Sequence, residues 1–205
     1  MINIGDLSAN DYGIMLFSTD LFNEYVKNKK WRVKKYLSWF DKNKNDFFQI
    51  IKDGIIVPIY KIPDFEYEIF VKINENNDKI PDGYKEMFRY NNFYIEVGIT
   101  NKLCFASFSF FEHSLDLIKS NITEESEMIP TGLTGVLEKY NSALGLNIEK
   151  GKYNYNLVGL KRLEEKERES KNYAYLFEFT KNENAINDNF NKADNDKYVF
   201  SIDQY

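Results

Sequence analysis

The sequence has little of what most catalytic and metal sites are built from. It holds one cysteine, Cys104, and one histidine, His113, among 205 residues. A lone cysteine excludes an internal disulfide framework and a cysteine zinc cluster, and it points to a reducing compartment, so a cytoplasmic protein is expected. A lone histidine leaves any metal site to carboxylates, and Cys104 has no histidine at a motif spacing to form a nucleophilic dyad. The ten glycines are scattered singly, with no phosphate-cradling pattern, no G-x-S-x-G and no H-E-x-x-H. No apolar run reaches the roughly 18 residues that span a bilayer, and the start, MINIGDLSANDYGIMLF, lacks a basic region leading into a long apolar one. Neither membrane association nor export is therefore expected, and the Asn121-Ile122-Thr123 glycosylation match reads as accidental. No catalytic residue, metal ligand or cofactor site is expected, and the chain reads as a protein other than an enzyme.

Aromatic residues are what the chain has in quantity: 17 Phe, 15 Tyr and 2 Trp, against only 4 Pro. Such residues suit pleated, half-buried surfaces. The expectation is a mainly β fold, β-sandwich-like antiparallel sheets with one or two short helices, in a single β-rich domain over 1–205. GIMLF at 13–17 reads as a strand, and Thr19 or Asp20 then caps a helix over Leu21 to Phe40 that breaks near Lys29. Asp53-Gly54 is a turn, followed by strands IIVPIY and FEYEIFVKI and a polar loop over 74–83. YKEMFRY and FYIEVGI follow as strands, and LCFASFSFF at 103–111 as a buried one. Residues 112–131 read as a long loop and 133–140 as one or two helical turns. Then come a hairpin about Lys150-Gly151, a charged hairpin tip or solvent-facing helix at 160–172, the strand AYLFEF, a polar loop after Thr180, and KYVFSI as a terminal strand.

Charge is unevenly spread. The net charge is −5, yet the stretch from Glu24 to Asp53 carries nine Lys/Arg against four acids, leaving about −10 for the rest. Most of the surface should repel nucleic acid, and no nucleic-acid partner is expected. Lysines between 27 and 44 alternate with Trp31, Tyr36 and Trp39, a pattern shared with nucleic-acid surfaces. The preferred reading there is an amphipathic helix with its aromatics packed inward and its lysines solvated. Two acidic stretches stand out. In DFEYEIF, residues 64–70, Asp64, Glu66 and Glu68 alternate with Phe65, Tyr67 and Ile69, so the acids share one strand face and the apolar residues the other. The second is the run Glu124, Glu125 and Glu127. With no histidine, cysteine or second motif beside them, both read as a solvated face or one offered to a basic partner.

The order of four stretches resembles the family of competence-associated inhibitors of the DNA-entry nuclease, the competence protein J type. They are Leu7 to Asp20, LSANDYGIMLFSTD; Trp39-Phe40-Asp41 with Phe47 or Phe48 and Asp53-Gly54-Ile55-Ile56; Glu68 to Asn74 with Phe93-Tyr94-Ile95-Glu96; and LGLNIEKGKYNYNLVGL, with its Lys150-Gly151 turn and the aromatic Tyr153. Glu149 stands where a proline is common in the family, and the segments 21–38, 112–142 and most of 161–205 have no counterpart in it. The resemblance implies a compact β-rich inhibitor that binds and blocks a nuclease, of the kind made as an immunity protein beside a toxin.

That implication fits the composition. A nuclease site is basic because it holds phosphates, and an acidic protein with rigid aromatic anchors competes for it through charge complementarity. The expected partner is a cognate nuclease or toxin protein, met through Glu66, Tyr67 and Glu68, with Glu124, Glu125 and Glu127 as a second patch. The alternative is a β-sandwich binding module for carbohydrate or another protein.

Overall fold

The strand GIMLF is buried at every position. Ile14 and Leu16 enter one apolar cluster while Met15 and Phe17 enter another, as the two-residue period of a strand requires. Structure must therefore lie on both sides of it. The computed structural model describes residues 1–75, 77–131, 136–185 and 198–205, and it shows two five-stranded sheets face to face. The first sheet contains β1 (Ile2–Ser8), β4 (Glu66–Ile73), β5 (Tyr84–Val97), β9 (Gly151–Arg162) and β10 (Tyr173–Lys181), in the order β1-β4-β10-β9-β5. The second contains β2 (Gly13–Phe17), β3 (Ile56–Tyr60), β6 (Lys102–Ser107), β7 (Glu125–Thr131) and β8 (Val136–Asn147), in the order β3-β2-β6-β8-β7. Neighbouring strands run antiparallel, except that β10 runs parallel to β4.

The fold is thus mainly β, a sandwich of two antiparallel-rich sheets. Its inner core interleaves Tyr67, Ile69 and Val71 of β4 and Tyr175, Phe177 and Phe179 of β10 with Ile14, Leu16, Leu103 and Phe105 from the opposite sheet. Phe105 meets Phe177 edge to face at 4.9 Å, a preferred aromatic geometry.

Five short helices stand among the described residues where one or two were expected. They are α1 (Thr19–Asn28), α2 (Tyr36–Lys42), α3 (Lys44–Lys52), α4 (Phe108–His113) and α5 (Leu115–Lys119). They cover the outer face of the second sheet, joining Met15, Phe17, Cys104 and Ala106 to Phe22, Tyr36, Phe40, Ile50 and Phe111. The break foreseen near Lys29 is real: Lys30 has φ 56°, and α2 starts only at Tyr36.

Several expectations need correction. LCFASFSFF is strand only to Ser107; there the hydroxyl accepts the Phe110 N–H at 3.0 Å and opens α4, as an N-cap serine does. The stretch read as a loop over 112–131 contains α5 and the edge strand β7, and residues read as helical turns before Tyr140 belong to β8 from Val136 onward; 133–135 lie outside the described residues. YKEMFRY and FYIEV form one irregular strand, β5. Ile2–Ser8 forms an unforeseen first strand. KYVFSI is no strand over 198–202: Phe200 and Ile202 are buried, and a single 3-10 turn follows at Ile202–Gln204. The polar stretch 186–197 lies outside the described residues.

The Lys150-Gly151 turn is not a hairpin. β8 pairs with β6 and β7, whereas β9 pairs with β5 and β10, so the chain crosses from one sheet to the other there. The connection between β5 and β6 makes the same crossing beside it. The two are tied by Ile148 N–H donating to Asn101 O at 3.0 Å and Lys150 N–H to Asn101 Oδ1 at 2.7 Å. No helix among the described residues is long and apolar enough to cross a membrane.

Candidate functional site

DFEYEIF divides as its alternation requires, but its acids are engaged. Tyr67 is 1% exposed inside the sandwich, its ring 4.9 Å from that of Tyr175, and burial pushes its phenol far above the usual range. Glu66 and Glu68 face the other way, where basic side chains from the end of β9 and the loop before β10 meet them. Glu68 is ion-paired with Arg162 and, at 3.8 Å, with Lys166. Glu66 lies 3.1 Å from Lys171, which also reaches Glu138 of β8 at 3.1 Å. Burial lowers the affinity of Lys171 for its proton, and Glu138 and Glu66 more than restore it. Through Lys171 this row of acids and bases ties β4 of the first sheet to Glu138 of β8 in the second.

The second acidic patch is placed differently. Glu125 and Glu127 lie on β7, the edge strand of the second sheet, and Glu124 immediately precedes it. Glu125 is held by the hydroxyls of Ser142, at 2.6 Å, and Ser114, at 3.3 Å. Glu124 and Glu127 are exposed and take part in no ion pair among the described residues. Glu124 and Glu125 line a polar cleft of about 480 Å³ with Ile4, Gly5, Ser126, Lys139 and Asn141. Across the β7–β8 pair, Met128 stands opposite Lys139 and Pro130 opposite Leu137, so these four side chains share one face. Met128 is 56% exposed and Leu137 57%. Sequence reading missed both anchors, because it placed Met128 in a loop and Leu137 in a helical turn. ESEMIPT offers no apolar–polar alternation to show the strand, only the short apolar run Met128-Ile129-Pro130.

The residues set aside as inert in the sequence are found in ordinary surroundings. Cys104 is fully buried, its thiol 3.6 Å from Thr123 O, and burial raises its pKa far beyond the range of a nucleophile. His113 is exposed at the end of α4. Among the described residues no group of three or more His, Cys, Asp or Glu is placed to hold a metal ion.

An edge strand that carries unpaired acids, with large apolar side chains on one of its faces, can bind a basic protein surface. Carboxylates steer the approach, and Met128 and Leu137 supply area that loses water on contact. No protein-family model matches the chain, and no curated protein matches it in sequence. Among solved structures it is similar to ComJ from Bacillus subtilis, an inhibitor of the DNA-degrading activity of NucA, at 10% identity and a TM-score of 0.39, over 89% of this chain and 100% of that one. A superposition this loose carries no residue's role across.

Proposed function

We propose that the protein is a non-catalytic inhibitor of the immunity type, a single cytoplasmic domain that binds and neutralises a cognate nuclease or toxin protein. The observation that carries this reading is the contrast between the two acidic patches. The charges of Glu66 and Glu68 are met within the molecule, whereas Glu124 and Glu127 remain unpaired at the edge strand β7, with exposed Met128 and Leu137 on the ribbon face opposite to that of Glu127. An unpaired acidic edge with apolar anchors complements a basic active-site rim, and the resemblance of the four sequence stretches to nuclease inhibitors points the same way. The β7–β8 ribbon is the contact surface, and Glu66 is tied to its Glu138 through Lys171.

The test is titration of the purified protein against nucleases and secreted toxins encoded in its own genome, following DNA cleavage. Stoichiometric loss of cleavage by one of them is expected, with an association rate that falls as salt rises. Undiminished cleavage by every one of them in the presence of excess protein removes the reading.

A further inference from the structure

The helical layer holds a second charged surface of the opposite sign. Between α1 and α2 the chain turns at Lys30 and runs without regular structure to Lys35. This segment and α2 wall a groove of about 500 Å³ that Lys30, Arg32, Lys34, Lys35 and Lys42 line together with Trp31 and Trp39. All five cations are exposed, and none is ion-paired among the described residues. Elsewhere the basic side chains Lys72, Arg89, Arg162 and Lys171 each have a carboxylate partner. Like charges gathered round one groove with no acid among them create a positive potential. At physiological salt that potential survives over roughly 8 Å, enough for the five to act on one ligand.

The floor of the groove is aromatic. The Trp31 and Trp39 rings lie 4.3 Å apart at 50° to one another. Phe40 backs both, at 5.9 and 5.5 Å, and Tyr25 packs against Trp31 at 5.4 Å. Both tryptophans are half-buried, anchored on the helical core and still lining the groove. The backbone amides at the start of α2 are not available to an anion, because Glu112 already accepts those of Leu37 and Ser38. Recognition would rest on the side chains.

We propose that this groove binds single-stranded nucleic acid without sequence preference, lysines and Arg32 following the phosphates and the tryptophans receiving base faces. Rigid aromatics set among unpaired cations suit a chain of alternating phosphates and planar bases. An acidic polypeptide would use the charge but leave the rings without stacking partners. The net charge of −5 argued against nucleic acid only as an average, since five unpaired cations stand together at this groove.

The chain has only these two tryptophans, so intrinsic fluorescence reports on the groove directly. Titration with an oligothymidylate should quench it saturably, with log affinity falling against log salt at a slope of about −3, as four or five phosphate contacts to a single strand require. Poly-glutamate of equal charge should quench far less. Lys34→Glu with Lys35→Glu should weaken the oligonucleotide by roughly tenfold or more, while Lys79→Glu, on a distant loop, leaves it unchanged. Absence of quenching overturns the proposal. So does equal binding of poly-glutamate, which would mark an acidic protein as the occupant, or full affinity in the folded double variant. The poly-glutamate comparison uses the natural protein and does not depend on how any variant folds.

Discussion

The carboxylate of Glu112, on α4, accepts the backbone N–H of Leu37 at 2.6 Å. It also receives the Ser38 hydroxyl at 2.5 Å, and it is buried. The start of α2, and with it the Trp31–Trp39 pair, is thereby fixed to an element about 75 residues away in sequence. Glu112→Ala leaves two amides and a hydroxyl without their acceptor. A loss of about 1–3 kcal/mol is expected, read as a lower urea midpoint with unchanged slope. An unaltered midpoint would show that water replaces the carboxylate at no cost.

Cys104 offers a check on the packing between the second sheet and the helices. The thiol is fully buried and its proton is held firmly by that burial. Thiolate chemistry needs both exposure and ionisation. A thiol-reactive disulfide reagent should therefore label the native protein only as fast as it unfolds, and label it at once in denaturant. Immediate stoichiometric labelling without denaturant would contradict the buried position.

Strands proved more legible in this sequence than their partners. GIMLF was plain because burial on both faces leaves an unbroken apolar run. The stretch LGLNIEKGKYNYNL has the alternation of a hairpin, yet alternation is the same whether two strands pair with each other or pass into opposite sheets. What decides is the bond from Ile148 N–H to Asn101 O, a contact far outside any local window. β7 was hidden by Pro130, which argues against a central strand but is tolerated at an edge. The acids of DFEYEIF were rightly given a face opposite Tyr67 and Ile69. Their neutralisation was not legible, because Arg162 and Lys171 lie roughly a hundred positions downstream and arrive only through the β9–β10 hairpin.

Asp20 carries a pH dependence of definite sign. Burial opposes its ionisation, but the Ser18 hydroxyl at 2.6 Å and the Thr100 N–H at 3.0 Å favour it, and the carboxyl titrates below its ordinary value of 3.8. The unfolded chain therefore binds the proton more readily than the folded one. The stabilisation is fully present above pH 3.8 and is lost as the pH falls through the lower, folded value. Asp20→Asn should destabilise the protein at neutral pH, and the gap from the natural protein should close on acidification. Thermal unfolding of both between neutral pH and pH 3 measures this; a gap that widens in acid reverses the sign and refutes the assignment.

The two acidic patches should separate in a charge-reversal experiment. Glu124→Lys and Glu127→Lys change exposed residues without an ion-pair partner, so melting should stay nearly constant. If β7 meets a basic nuclease or toxin, the association rate at low salt should fall by about tenfold and the difference should shrink as salt rises. Glu66→Lys and Glu68→Lys instead bring a cation against Lys171 and Arg162 at sites where the native carboxylates are only 9% and 17% exposed. The cost there should appear first in stability, on the order of 1–3 kcal/mol, between the small value of surface pairs and the larger one of buried pairs. Should the Glu66 and Glu68 variants melt normally and lose the partner while the Glu124 and Glu127 variants keep it, the contact surface lies on the outer face of β4 and not on the β7–β8 ribbon.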